Sequence, residues 1–130
     1  MEPSARSHSK KRILVVEDDD DSAGVLKQFF SPQYEVILAR DGLDGLEQAE
    51  KWHPDLIISD VAMPRLDGLS MVRHLRASSA SCGPVIFLSA RSAPSDVIAG
   101  ITSGARHYLT KPVDLNDLKR KVARALDISA

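Results

Sequence analysis

The chain has 130 residues, 43% hydrophobic and 27% charged, with 17 Lys and Arg against 18 Asp and Glu and a formal net charge of −1. That length suits one compact domain with its own core and excludes a multi-domain enzyme within these residues. The charge balance excludes a strongly basic nucleic-acid binder, and no apolar run approaches the roughly 18 to 20 residues of a membrane span.

Residues 1–11 are polar, basic and Ser-rich, which predicts a disordered leader. They lack the apolar stretch of a signal peptide, so a cytoplasmic location is expected. Ile13–Val16 predicts the first strand and ends in five consecutive acids, Glu17, Asp18, Asp19, Asp20 and Asp21. Without these, 13 acids face 17 bases, so the acidity is concentrated at one place. Val25, Leu26 and Phe29 have helical spacing, with Phe29-Phe30 read as core and rim. Tyr34–Leu38 predicts a second strand, and Leu43, Leu46 and Ala49 a second helix, started by Asp41 with Asp44 and ended near Trp52, a packing residue. The pattern repeats with strand Leu56–Ile58 and helix Leu69, Val72, Leu75. It continues with strand Val85–Leu88 and helix Val97, Ile98, Ile101, for which Ser95 before Asp96 is the expected cap. Strand Tyr108–Thr110 and helix Leu115, Leu118, Val122, Leu126, capped by Asp114 with Asp117, close the chain. Ser31-Pro32, His53-Pro54, Gly83-Pro84 and Gly104 mark turns between units. Cys82 reads as a loop thiol, and His8, His53, His74 and His107 lack metal-ligand spacing.

Strict alternation of this kind defines an α/β chain, (βα)5, with a doubly wound five-stranded parallel sheet and helices on both faces. The continuous apolar character of the first, third and fourth runs suits central strands. Ligands of such sheets bind beyond the carboxyl ends of the strands. Those ends are Glu17-Asp18, Ser59-Asp60, Ser89-Ala90 and Lys111-Pro112. Each residue alone has an ordinary explanation as a cap, a turn or a solvated charge. Their recurrence at corresponding ends does not. Glu17, Asp18 and Asp60 carry −3 and Lys111 supplies +1, leaving a deficit that a divalent cation matches. An all-oxygen site of few carboxylates favours Mg2+. A cation beside a carboxylate nucleophile is what phosphoryl transfer requires, with Ser89 and Lys111 placed to meet the phosphoryl oxygens.

These residues, in the segments Ile13-Leu-Val-Val-Glu-Asp18, Ile58-Ser-Asp-Val-Ala-Met-Pro64, Leu66-Asp-Gly68, Phe87-Leu-Ser-Ala90 and Tyr108-Leu-Thr-Lys-Pro112, carry a resemblance. From about Arg12 to Leu126 the chain resembles the receiver domain of bacterial two-component response regulators. The resemblance implies a flavodoxin-like fold with strand order 2-1-3-4-5 and a receiver domain over residues 12–128, with 129–130 as a tail. It implies Asp60 as the acceptor of a phosphoryl group from a sensor histidine kinase or phosphotransfer protein. Asp18, Asp60 and the backbone carbonyl of Ala62 would ligate Mg2+, with Glu17 acting chiefly through water. Lys111 would contact the phosphoryl group from a cis Lys111-Pro112 bond. Ser89 would move toward the phosphate and Tyr108 would turn inward with it. Met63-Pro64 and Asp67-Gly68 would shape the following loop and start the third helix.

The resemblance further implies a switch and not a turnover enzyme. The face formed by the fourth helix, fifth strand and fifth helix would bind an output domain or protein partner, as a monomer or a phosphorylation-dependent dimer. The mixed charges on the fifth helix suit a protein better than DNA. Three departures from the family pattern bear on output coupling. Ser89 stands where Thr is frequent, His107 where a small or acidic residue is, and Val113 where Phe is. Arg91 and Ala62, each two positions beyond a site residue, are expected to set phosphate lifetime. Two other readings fit the same residues: an interaction module that uses the face constitutively, and a phosphatase with Asp18 as nucleophile and Asp20 as acid.

Overall fold

The structure is a computed structural model, which describes residues 10–78 and 83–129; the expected leader up to residue 9, Cys82 and Ala130 lie outside the described residues. Five strands and five helices alternate: β1 (Arg12–Val16), α1 (Asp20–Phe30), β2 (Glu35–Ala39), α2 (Gly42–Trp52), β3 (Leu56–Asp60), α3 (Gly68–Ala77), β4 (Val85–Ser89), α4 (Pro94–Thr102), β5 (His107–Thr110) and α5 (Leu115–Ser129). All strand pairs are parallel, in the order β2-β1-β3-β4-β5. The three runs expected to be central are the central strands.

Alternation along β1, β3 and β4 explains the layers, because successive side chains point to opposite faces of a sheet. Ile13, Val15, Ile58, Ile86 and Leu88 join Leu26 and Phe30 of α1 and Leu118, Val122 and Leu126 of α5 in one core. Leu14, Val16, Ile57, Val85 and Phe87 join Ala49 of α2 and Met71, Val72 and Leu75 of α3 in the other. Each such aliphatic or aromatic side chain contributes about 1.5 to 3 kcal/mol when fully buried. Arg12 anchors the opposite end of the sheet: its guanidinium lies 5.3 Å from the Trp52 ring centroid and donates to the Trp52 carbonyl.

Aspartates start four of the helices. Asp19, Asp41 and Asp67 accept from the backbone N–H three residues on, satisfying an amide the helix itself leaves unpaired, and Asp114 accepts from Asn116 and Asp117. The expected Ser95 cap of α4 is not formed. Ala93 occupies the N-cap position with Pro94 following, so a fixed proline φ replaces the side-chain bond.

Three helical faces also differ from their apolar spacing. On α1, Val25 is exposed, and Ala23, Leu26 and Phe30 face inward. On α2, Leu43 is exposed and Gly42, Gly45 and Ala49 face inward. A Cβ on Gly45 would sit 2.6 Å from Met71 Sδ, so small residues let α2 approach α3 closely. On α4, Ile98 and Ile101 are exposed at 63% and 44%, and Gly100 is the buried residue, lying against the Tyr108 ring.

Gly24, inside α1, has open space where a Cβ would go, whereas a Cβ on Gly42 would collide with the Leu66 carbonyl. Gly24→Ala is therefore expected to stabilise the fold by about 1 kcal/mol through helix propensity. Gly42→Ala is expected to destabilise it by about 1 to 3 kcal/mol through overpacking. Urea unfolding midpoints measure both.

Candidate functional site

Strand register assembles the site. Val16 pairs with Ser59, Asp60 with Leu88, and Ser89 with Thr110, so the residues ending each strand step side by side across the sheet. Glu17 follows β1 and is 5% exposed, its amide bonded to the Ala39 carbonyl. Asp60 ends β3. Lys111 follows β5, its amide bonded to the Ser89 carbonyl and its peptide bond to Pro112 cis, as expected.

From there Lys111 Nζ reaches Asp60 Oδ2 at 3.0 Å and Glu17 Oε1 at 3.3 Å. Glu17, Asp18 and Asp60 each offer a carboxylate oxygen within 4.8 Å of the others. At an effective dielectric of about 20, unit charges 4 Å apart interact by about 4 kcal/mol. One ammonium among three carboxylates therefore leaves repulsion uncompensated. Burial pushes the Glu17 carboxyl above its usual range, against the opposing Asp19 amide and Lys111 ammonium. Burial also works against the charged Lys111, but the hydrogen bond and charge of Asp60, helped by Glu17, outweigh it and raise its pKa. This hard, all-oxygen donor set with excess negative charge fits a divalent cation such as Mg2+.

Ser89 is buried and its hydroxyl accepts from the Arg91 amide at 3.1 Å. Tyr108 packs its ring 6.3 Å from that of Phe87 and donates from its hydroxyl to the Arg91 carbonyl at 2.8 Å. The backbone of Arg91 thus joins the serine to the tyrosine. Asp20, by contrast, begins α1 and pairs with Arg40 at 3.4 Å, and is not one of the three clustered carboxylates. Beside Glu17 and Lys111 an open groove of about 370 Å³ is lined by Val25, Leu26, Pro112, Val113 and Leu115.

The loop between β3 and α3 carries a feature that the sequence reading passed over. Arg65 has φ 67° and grips Asp41 with two bonds, Nε to Oδ2 at 2.7 Å and Nη2 to Oδ1 at 3.1 Å. Asp41 was legible as a helix cap, but an Arg after Pro64 gives no local signal of a left-handed backbone or of a partner 24 residues away.

Comparison with known proteins gives the family. The family model of the response regulator receiver domain matches residues 13–123. Response regulator MprA of Mycobacterium leprae (strain TN) is 41% identical over 116 residues, covering 88% of this chain and 50% of the relative. The Francisella response regulator 1452 receiver domain superposes with a TM-score of 0.87 at 32% identity, over 93% of this chain and all of that one. The receiver domain of sensor histidine kinase PA1611 from Pseudomonas aeruginosa PAO1, which has magnesium coordinated in its active-site cleft, superposes with a TM-score of 0.83 at 31% identity over 92% of this chain and 99% of that one. The chain belongs to the response regulator receiver domain family. It spans about half the length of the curated relatives it matches.

The Arg65 fork, and next the Asp44 amide, hold the Asp41 carboxyl below the usual carboxylate range. A carboxyl lowered by folding stabilises fully above its unfolded pKa of about 3.9 and loses that contribution as pH falls through the folded value. Asp41→Asn keeps a capping oxygen and does not titrate. Its stability, followed by urea unfolding from pH 6 to pH 2, is expected to fall less steeply below about pH 4 than that of the parent protein.

Proposed function

We propose that this chain is a phosphorylation-controlled switch in which Asp60 accepts a phosphoryl group from a phosphohistidine on a sensor histidine kinase or phosphotransfer protein. The observation that carries this reading is the Lys111 bridge between Asp60 and Glu17 at the open end of the sheet. An Asp60 carboxylate oxygen attacks the phosphorus. A P–O bond forms as the P–N bond breaks, and the histidine nitrogen leaves with the electron pair and takes a proton from water. Lys111, already held against Asp60, meets the incoming phosphoryl oxygens as a point charge. Glu17, Asp18, Asp60 and the Ala62 carbonyl would hold Mg2+, which when bound supplies neutralisation of the phosphoryl charge.

The apolar groove adjoining Lys111 suits a helix of the phosphodonor, because a partner seated there delivers its phosphohistidine to Asp60. On phosphorylation, Ser89 exchanges the Arg91 amide for a phosphoryl oxygen. Loss of that bond loosens the Arg91 backbone that holds the Tyr108 hydroxyl, and the change reaches the α4-β5-α5 face. Exposed Ile98 and Ile101, with Lys119, Arg120 and Arg124, offer that face to an output domain or protein partner. The domain assignment of residues 12–128, a cytoplasmic location and control by dimerisation belong to the same reading. The pairing of Asp20 with Arg40 favours this reading over the phosphatase alternative.

Adding Mg2+ and beryllofluoride to the protein is expected to give a 19F NMR signal from an Asp60 adduct that is absent in Asp60→Asn. Identical spectra for the two proteins would overturn the switch and leave the constitutive module. Ala62 and Arg91 are both exposed at the mouth of the site. Ala62→Asn adds an amide that can orient water, and Arg91→Ala opens access to it. Each is expected to shorten the acyl phosphate lifetime severalfold, measured by phosphate release after loading with acetyl phosphate.

A further inference from the structure

The loop between β3 and α3 supplies the one backbone group of the proposed metal site, the carbonyl of Ala62. A carbonyl ligand has no rotamer to adjust, so it is only as well placed as the loop that carries it. Three constraints fix that loop. Gly68 N donates to Val61 O at 2.8 Å, closing its base. Leu66 N donates to Pro64 O at 2.8 Å across Arg65, a three-residue turn that places Arg65 in the left-handed region. The tip is then tied to the start of α2, where Gly42 N donates to Leu66 O at 3.0 Å and Asp41 receives both arms of the Arg65 fork.

The tie is asymmetric in a way that suits positioning. The Asp41 side chain is 10% exposed and already fixed as the cap of α2, while Arg65 is 60% exposed and has no such packing of its own. A non-glycine residue at positive φ persists only where its surroundings hold it. Here the surroundings are the backbone hydrogen bonds of the loop and one planar, bidentate ion pair, whose geometry a lysine would not reproduce.

We propose that Arg65 and Asp41 form a clamp that sets the β3–α3 loop, and with it the Ala62 carbonyl, in the geometry for Mg2+, making Arg65 a positioning residue of the Asp60 site. The inference rests on the reading of Asp60, Asp18 and Ala62 given above. Its distinguishing consequence is that metal affinity falls with loss of the fork in protein that remains folded throughout the titration, because Arg65 is largely solvated and the core does not depend on it.

The test is a Mg2+ titration followed by amide NMR, with thermal unfolding alongside, on the full chain and on Arg65→Ala, Arg65→Gly, Asp41→Asn and the Asp41→Asn/Arg65→Gly double variant. Both Arg65 variants are expected to bind Mg2+ about tenfold more weakly, the scale seen when groups that orient metal ligands are removed. Asp41→Asn should show a smaller loss in the same direction. The double variant should be no weaker than Arg65→Gly, since the fork can be lost only once. Arg65→Gly relieves the positive φ, so wild-type affinity in that variant would overturn the clamp and leave backbone conformation as the whole role of the position. Independent, multiplying losses in the double variant would overturn it as well. Absence of Mg2+ binding by the unmodified protein would instead overturn the metal-site reading, and the clamp's role with it.

Discussion

Lys111 holds the strand-end carboxylates together, because its ammonium is the one cation within hydrogen-bond reach of both Asp60 and Glu17 among the described residues. Three carboxylates gathered at one sheet end are electrostatically costly, and the lysine makes the gathering tolerable without completing it. The remaining negative charge suits a divalent ion, and the Asp60 carboxylate already has its counter-charge in place. Everything else in the fold serves to bring β5 alongside β4, β4 alongside β3, and β3 alongside β1 in a register that lets this one side chain span the site.

Around that cluster a second set of contacts links the neighbouring strands. Ser89 of β4 and Tyr108 of β5 are joined through the backbone of Arg91, in the loop before a helix whose first turn has no side-chain cap. Gly100 makes room there for the Tyr108 ring, and α4 consequently turns Ile98 and Ile101 outward instead of packing them on the sheet.

Much of this was legible in the sequence. Short continuous apolar runs, helical spacing and turn residues were enough for the alternating elements and the central strands, because each is a local signal repeated at consistent spacing; Glu17, Asp18, Asp60 and Lys111, picked out by their positions at strand ends, are brought together by the fold. Two kinds of information were not. Helical spacing identified α1, α2 and α4 but misassigned part of their inward faces, since glycine and alanine pack by what they omit and contribute little hydrophobic signal. The Asp41–Arg65 pair was missed because it joins two loops far apart in the chain and depends on a left-handed turn that arginine does not announce. Long-range polar contacts of this type become visible only once the sheet has fixed which loops are neighbours.

The two interleaved cores carry a consequence for how such a chain can diverge. Each residue of β3 is committed to one face or the other, and Asp60 is the last of them. Inserting or deleting one residue in β3 would exchange the partners of Ile57 and Ile58 and rotate Asp60 away from Glu17 and Lys111. Change of length is therefore confined to the loops and termini, and the central strands can vary only by substitution. The distance from the first core residue of β3 to Asp60 is thereby set by the two cores and not by the site itself.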